Sequence, residues 1–413
     1  MQLRYNYRVY PTPGQRHLLA RAFGCARVVF NDGLRARREA HAAGQPYIRD
    51  TDLQKLVITA AKRTTERGWL GEVSSVVLVQ SLRDLHTAYR NFFASLSGSR
   101  KGPRVAPPRF KSKRDGEQSI RLTANGFSLR DNGTMYVAKV GDLEVRWSRP
   151  LPATATSVTV TKDAADRYWA SFVVDTQPQV VEDLDFGGPL DAETGIDLGL
   201  THFAVLPDGR KIEAPKFLRQ AERKLKRLQK ALSRCVKGGN NRAKARKKVA
   251  RQHARVADRR RDWHHKESTR LVRDNQALYV EDLAVSGLGR TRLARSVHDA
   301  GWSAFVTMLE YKAARHGRYF GRIGRFEPTS QVCSACGVKD GPKPLGVREW
   351  TCGGCGSVHD RDVNAARNIL AAGRADRLNA SQSAGKTGSV PAQRVEAGTH
   401  RDRHLPVVGI PVL

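Results

Sequence analysis

Four cysteines constrain this chain more tightly than any other residues. They stand in two Cys-x-x-Cys pairs, Cys333/Cys336 and Cys352/Cys355, with 15 residues between the pairs. Each pair puts two thiols on one tight turn, and glycines follow: Gly337 after the first, Gly353, Gly354 and Gly356 around the second. Two such knuckles facing one another make a closed tetrahedral sulfur cage, which suits a structural Zn2+ ion. A redox pair would need only one of the turns, and the remaining cysteines, Cys25 and Cys235, are scattered. His359 lies close, but four thiols already complete the cage, so it is not counted as a ligand. Residues 332–356 are therefore expected to form a zinc ribbon. Such a ribbon is a staple about 25 residues long that can read nucleic acid or simply pin what lies beside it. Here that neighbour is "HDRDVNAARNIL", in which Val363, Ala366, Ile369 and Leu370 recur at helical spacing behind two aspartates.

Two more carboxylates stand where carboxylates are awkward. Asp197 sits between aliphatic residues in "GIDLGL", and Glu281 ends the apolar run Ala277-Leu278-Tyr279-Val280. A buried charge on a strand is costly unless it is paired or bound to a metal. Alone, each has an ordinary reading: an edge-strand Asp facing water, a strand-end Glu, an Asp capping a helix. Together they give strand-Asp, hairpin, strand-Glu, helix-Asp, the chain order of an RNase H-type α/β fold. Three gathered carboxylates repel until one or two divalent cations neutralise them. Two Mg2+ (or Mn2+) ions about 3.5–4 Å apart can clamp the attacking water and the leaving oxygen of a phosphodiester. Spacing leaves open whether Asp360 or Asp362 is the third acid.

The charge balance points the same way. The chain has 413 residues and a formal net charge of +32, which makes a polyanion the leading partner. The basic residues are spread along the chain, which disfavours a membrane surface, and no apolar run reaches the roughly 18 residues of a membrane span. "MQLRYNYRVY" has no apolar signal core and the cysteines favour metal over disulfides, so a reducing, cytoplasmic setting is expected. Between Lys216 and Arg273, about twenty basic side chains face four acidic ones. The bland reading is an αα-hairpin with solvated faces; so lopsided a run instead points to phosphate contact, with Arg223, Lys226 and Arg227 as candidates.

Texture along the chain predicts a multidomain α+β molecule. Residues 1–12 form a strand that joins a later sheet, and 13–113 a helical domain ending in a Gly/Pro/basic connector. Residues 114–185 form a small β-barrel with hairpins, one turning at Asp131-Asn132-Gly133. After the acidic linker "VVEDLDFGGPLDAE", the nuclease-like α/β part covers 186–331, is interrupted by the ribbon, and resumes in a last helix over 357–373. Residues 374–413, rich in Ser, Gly and Ala, are expected to be a disordered tail.

These residues resemble the TnpB family, transposon-encoded RNA-guided DNA nucleases related to the type V CRISPR effectors. The resemblance is carried by "GIDLGL", "VEDL", "TSQVCSACG" with its second knuckle, and "HDRDVNAARNIL", supported by "YPTPGQRHLL", "RVVFNDGL", "PPRFK" and "AGWSAFVTMLEYKA", and spans residues 1–372. It implies a RuvC-type metal triad of Asp197, Glu281 and Asp362, the last being the Asp two residues before the NAA motif. It also implies that the helical domain is a recognition domain inserted into a wedge barrel, a guide RNA from the transposon end, a target double-stranded DNA read by base pairing, and a short adjacent motif read by protein. Ser74, Ser75 and Gln80 are candidates for that motif, though their neighbours Val76, Val77 and Val79 could make the segment core. Arg109, Lys111 and Lys312 are further candidate nucleic-acid contacts, and Arg367 could steady phosphate. A monomeric ribonucleoprotein is expected. The alternatives are a silent RNA-guided repressor and an RNase H-fold transposase.

Overall fold

The computed structural model describes residues 2–113, 115–175, 191–344 and 346–386. Most of the expected acidic linker, and the expected tail beyond residue 386, lie outside the described residues. The chain forms two compact units, 1–177 and 178–413.

In the first unit, β1 (Gln2–Tyr10) leads into α1 (Pro13–Ala42). Thr12 and Gln15 close a reciprocal capping box at the helix start, and Pro13 occupies the first turn, where no amide hydrogen is missed. After α2 (Asp50–Gln54) and irregular turns comes α3 (Ser75–Leu96). The strands β2 (Gln118–Thr123), β3 (Phe127–Leu129), β4 (Thr134–Val137), β5 (Gly141–Arg146), β6 (Ala155–Lys162) and β7 (Tyr168–Asp175) follow. They form with β1 an antiparallel sheet of order β2-β6-β7-β1-β5-β4-β3. The N-terminal strand is thus central, between β7 and β5. The edge strands β2 and β3 are joined by only Ala124–Gly126, so the sheet must curl round on itself. The β3–β4 hairpin turns through Gly133 at φ +78°. Helices and sheet share one hydrophobic core: Leu34 and Leu82 belong to the same cluster as Tyr7, Leu143 and Phe172. The expected boundary at 113/114 does not separate two cores.

In the second unit, β8 (Glu193–Leu198), β9 (His202–Val205) and β10 (Lys211–Glu213) form an antiparallel meander. The basic hairpin follows as α4 (Phe217–Ser233) and α5 (Asn240–Asp274). Arg242 closes the break between them by donating to the Leu232 and Cys235 carbonyls at the end of α4. Next come β11 (Ala277–Glu281), the short helices α6 (Val285–Leu288) and α7 (Ala294–Ala300), α8 (Trp302–Arg315) and β12 (Tyr319–Ile323). β11 runs parallel to both β8 and β12, giving the order β10-β9-β8-β11-β12. The strands β13 (Glu349–Thr351) and β14 (Val358–Asp360) pair separately beside the cysteines.

Helix α9 (Arg361–Lys386) closes the unit. It runs through residues 374–386, which their composition assigns to the tail. Arg374 and Arg377 both pair with Glu193 on β8, at 2.6 and 2.9 Å, and this replaces the apolar stripe that the segment lacks. One face of the sheet packs on α5 and α8 through Ile196, Leu278, Val280, Leu271 and Phe305. The other packs on α9 through Ala277, Tyr279, Ile323 and Ile369.

Candidate active site and metal centre

Alternation along each strand decides which side chains share a face. On β11, Leu278 and Val280 belong to the α5/α8 core, so Tyr279 and Glu281 face α9. On β8, Ile196 and Leu198 belong to that same core, so Gly195 and Asp197 face α9. The β8–β11 pairing runs as far as Ile196 beside Val280. Asp197 and Glu281 are the next residue on each strand. The sheet-facing stripe of α9 begins with Asp362 and continues, at helical spacing, through Ala366, Ile369, Leu370 and Gly373. Gly195 lets the helix approach: a Cβ there would overlap the Ala366 carbonyl oxygen and stand 2.6 Å from the Leu370 nitrogen.

Burial pushes the Asp197 carboxyl up to about 7, reinforced by the negative charges of Asp362 and Glu281 and opposed by Arg361. Glu281 is raised as well, by burial and by Asp282. The two aspartates of the "DRD" run divide their roles. Asp360 caps α9, its Oδ1 accepting from the amides of Asp362 and Val363 at 3.0 Å each. Its Oδ2 accepts from Lys211 Nζ at 2.6 Å. Although burial works against it, these bonds hold the Asp360 carboxyl below its ordinary range. Asp362 is met instead by Arg348, whose guanidinium lies 3.4 Å from Oδ2 and also donates to Thr201 Oγ1 at 2.9 Å. Arg348 comes from the segment between the two cysteine pairs, where nothing in the sequence pattern singles it out.

The four thiols meet. Cys333 Sγ lies 3.7 Å from Cys355 Sγ, and Cys336 Sγ lies 3.7 Å from Cys352 Sγ. Gly337 and Gly356 take φ of +75° and +71° and close the two knuckles back onto the carbonyls of Cys333 and Cys352. Among the described residues, these thiols are the group of His, Cys, Asp or Glu donors whose atoms all lie within 4.8 Å of one another, and they could hold a metal ion. The carboxylates of Asp197, Glu281 and Asp362 are spread more widely. His359 sits outside the four, with Nε2 3.0 Å from Cys333 Sγ.

Two asparagines tie the knuckle to the helix that carries Asp362. Asn364, buried, accepts from the Ser334 amide at 2.8 Å and donates to the Val332 carbonyl at 2.8 Å. Asn368, one turn on, donates to the carbonyls of Thr329 and Val332 at 2.7 Å each. The sequence does carry a signal for them: Asn is a poor helix former, and two at i, i+4 inside a helical stripe require a reason.

The expected nucleic-acid contacts fall into different places. Arg223, Lys226 and Arg227 are exposed on α4, and Arg109 is exposed. The Lys111 ammonium stacks 4.0 Å from the Phe30 ring centroid. Arg367 is exposed and donates to the Pro207 carbonyl. Ser75 is exposed and takes a hydrogen bond from Lys62. Ser74 and Gln80 are buried, Gln80 at the floor of an open groove of about 920 Å³ also lined by Arg83, Arg90, Arg121, Tyr89 and Phe93. Lys312 is a correction. It is buried, and its ammonium donates to His265 O, Ser268 Oγ and Thr269 Oγ1 on α5, each at 2.7 Å. Burial lowers it to about 8. It joins α8 to α5 and has no donor left for phosphate.

A family profile described as a probable transposase matches residues 191–292, a Cas12f1-like TNB domain matches 302–369, and a helix-turn-helix profile matches 1–46. In this structure, that last stretch is one strand and one continuous helix. A "Putative RNA-guided DNA endonuclease" of Streptomyces pristinaespiralis is 44% identical over 411 residues, 96% of this chain and 98% of that one. "Putative RNA-guided DNA endonuclease InsQ" of Escherichia coli K12 is 32% identical over 390 residues, 90% and 92% of the two chains. Among solved structures, CasPhi-2 (Cas12j) bound to crRNA and phosphorothioate-DNA aligns at 11% identity and a TM-score of 0.37, covering 89% and 91%. That score is low, and the assignment rests on the sequence relatives. With identity sustained end to end over relatives of matching length, the chain belongs to the TnpB family.

Proposed function

We propose that this chain is an RNA-guided DNA endonuclease of a transposon. In this reading it carries a guide RNA made from the transposon end and cuts double-stranded DNA beside a short adjacent motif. The single observation that supports it most is the placing of Asp197 and Glu281 side by side, one residue beyond the paired Ile196 and Val280, on the sheet face that packs against the helix bearing Asp362. In the nuclease reading, residues 186–331 and the last helix form a RuvC-like domain interrupted by a zinc ribbon. The names of the full-length relatives support the activity.

The donor sets fit the metals proposed. Four thiolates in a closed cage suit Zn2+. Three carboxylates, one desolvated enough to be pushed up to about 7, suit a hard divalent cation such as Mg2+ or Mn2+. In this reading the three carboxylates serve two ions and need not reach a common point. When bound, such ions supply charge to activate water and to stabilise the leaving oxygen. The chain's own residues set the stage. The two strands fix Asp197 and Glu281, the Asp360 cap starts α9 in register, and the ribbon, through Asn364 and Asn368, fixes the helix that carries Asp362. No protein nucleophile is required.

Base pairing with the guide would read most of the target, and the groove at Gln80 is the proposed reader of the adjacent motif. The exposed bases of α4 and α5 are proposed to hold RNA or its heteroduplex as a monomeric ribonucleoprotein. The test is to sequence the RNA that copurifies, supply a plasmid matching it, and add Mg2+. Cleavage by the native protein and none by Asp197→Ala is expected. Equal cleavage by both, or no bound RNA, overturns the reading.

A further inference from the structure

Phe326 is 93% exposed, the most exposed of the large hydrophobic side chains among the described residues. A ring left in water forgoes about 2 kcal/mol of burial, so its place needs a reason. That place is specific. β12 ends at Ile323, which pairs in register with Glu281. The chain then makes a tight turn, the Glu327 amide donating to the Gly324 carbonyl at 3.2 Å, and Phe326 stands at its corner. The turn is pinned on both sides. Before the ring, Arg325 donates to the Asp282 carbonyl at 3.2 Å and meets the Asp282 carboxylate at 2.6 Å, next to Glu281. After it, the Thr329 carbonyl is held by Asn368 at 2.7 Å. Phe326 is therefore not the tip of a loose loop. It is an exposed ring on a pinned turn, at the carboxyl end of the parallel strands, where α/β sheets bind their ligands, beside the acid-bearing end of β11.

The geometry points to Phe326 as a base-stacking residue: an unpaired nucleobase of the DNA strand entering the acidic cleft packs against its ring. This deepens the nuclease reading and rests on it. One ring offers a face the size of one base. A stable protein interface buries about 800 Å² per partner, which a single side chain does not supply. Stacking tolerates any base, because every base has a π-face, and on a pinned turn only the ring's own side-chain rotation is lost on binding. The contact sets where along the strand a phosphate meets Asp197, Glu281 and Asp362.

The experiment uses the RNA-loaded protein without divalent ions and a short oligothymidylate carrying 5-iodouracil. Photocrosslinking mapped by mass spectrometry should place an adduct on residue 326. Phe326→Ala should bind the oligonucleotide about tenfold more weakly, Phe326→Trp should hold it as the native protein does, and an abasic oligonucleotide should not distinguish the three. Equal affinity in Phe326→Ala, or an equal loss toward the abasic strand, overturns the proposal. Cleavage of a matched duplex with Mg2+ on the same preparations separates the two readings. If the native protein cuts but Phe326→Ala loses no affinity, stacking fails and the nuclease stands. If nothing cuts yet residue 326 crosslinks, the nuclease reading fails and stacking stands.

Discussion

Removing the Asp360 carboxylate takes two amide hydrogen bonds from the start of α9, whereas removing that of Asp362 takes neither. Asp360→Ala should therefore lower stability by about 1 kcal/mol. Asp362→Asn should cost under about 0.5 kcal/mol, since it relieves repulsion at Asp197, yet abolish cleavage. Urea unfolding and plasmid cleavage on both variants check this. Lys312→Met should lose on the order of 2 kcal/mol, because it removes the three bonds that the ammonium gives to a carbonyl and two hydroxyls on α5, while guide-RNA affinity stays unchanged. His264 gives a pH dependence. It is buried, with Nε2 2.9 Å from the Ala300 carbonyl, and burial lowers it from 6.5 to about 4. The unfolded chain takes up that proton first, so stability is full above about pH 6.5 and is lost as pH falls toward 4. The loss is on the order of 3 kcal/mol and can be read by unfolding across that range. At this scale the acids and thiols are legible in the sequence because charge in an apolar strand and thiols in tight turns have few other uses. Lys312 is not, since a helical stripe shows a lysine but not the Ser268 and Thr269 that await it on α5.

Elements explain the rest through close approach. Gly195 on β8 touches α9 backbone to backbone, so Gly195→Ala must push the helix away. The expected result is a loss of at least about 2 kcal/mol and of cleavage together. Asn364→Ala combined with Asn368→Ala, which removes both ties, is more selective. It frees the first knuckle from α9 but leaves all four thiols, so bound zinc should stay stoichiometric by elemental analysis while the Mg2+ needed for half-maximal cleavage rises about tenfold. If that Mg2+ requirement does not move, the ribbon is not positioning Asp362. The strand-and-helix order can be read ahead because its hydrophobic periods are clean. The extension of α9 to Lys386 cannot, for it is held by Arg374 and Arg377 reaching back to Glu193, a residue far away in the chain.

For the whole molecule, a net charge of +32 ties affinity for nucleic acid to salt. Replacing Arg223, Lys226 and Arg227 with Glu should weaken guide-RNA binding and flatten its log–log salt slope by about 2, at roughly 0.7 for each phosphate no longer neutralised; filter binding across a salt series measures it. The mixed helix-and-sheet build is legible at this scale because chain order is a global property. The single core shared by helices and sheet in the first unit is not, since sequence texture changes at a boundary that packing ignores. The central claim is that Asp197, Glu281 and Asp362 hold divalent ions between them. Anomalous diffraction from crystals of the RNA-loaded protein soaked in Mn2+ tests it most directly. Manganese peaks within coordination distance of all three carboxylates, absent in Asp197→Ala, are the predicted result. Saturating Mn2+ with no peak there, or peaks that persist unchanged in the variant, would contradict it.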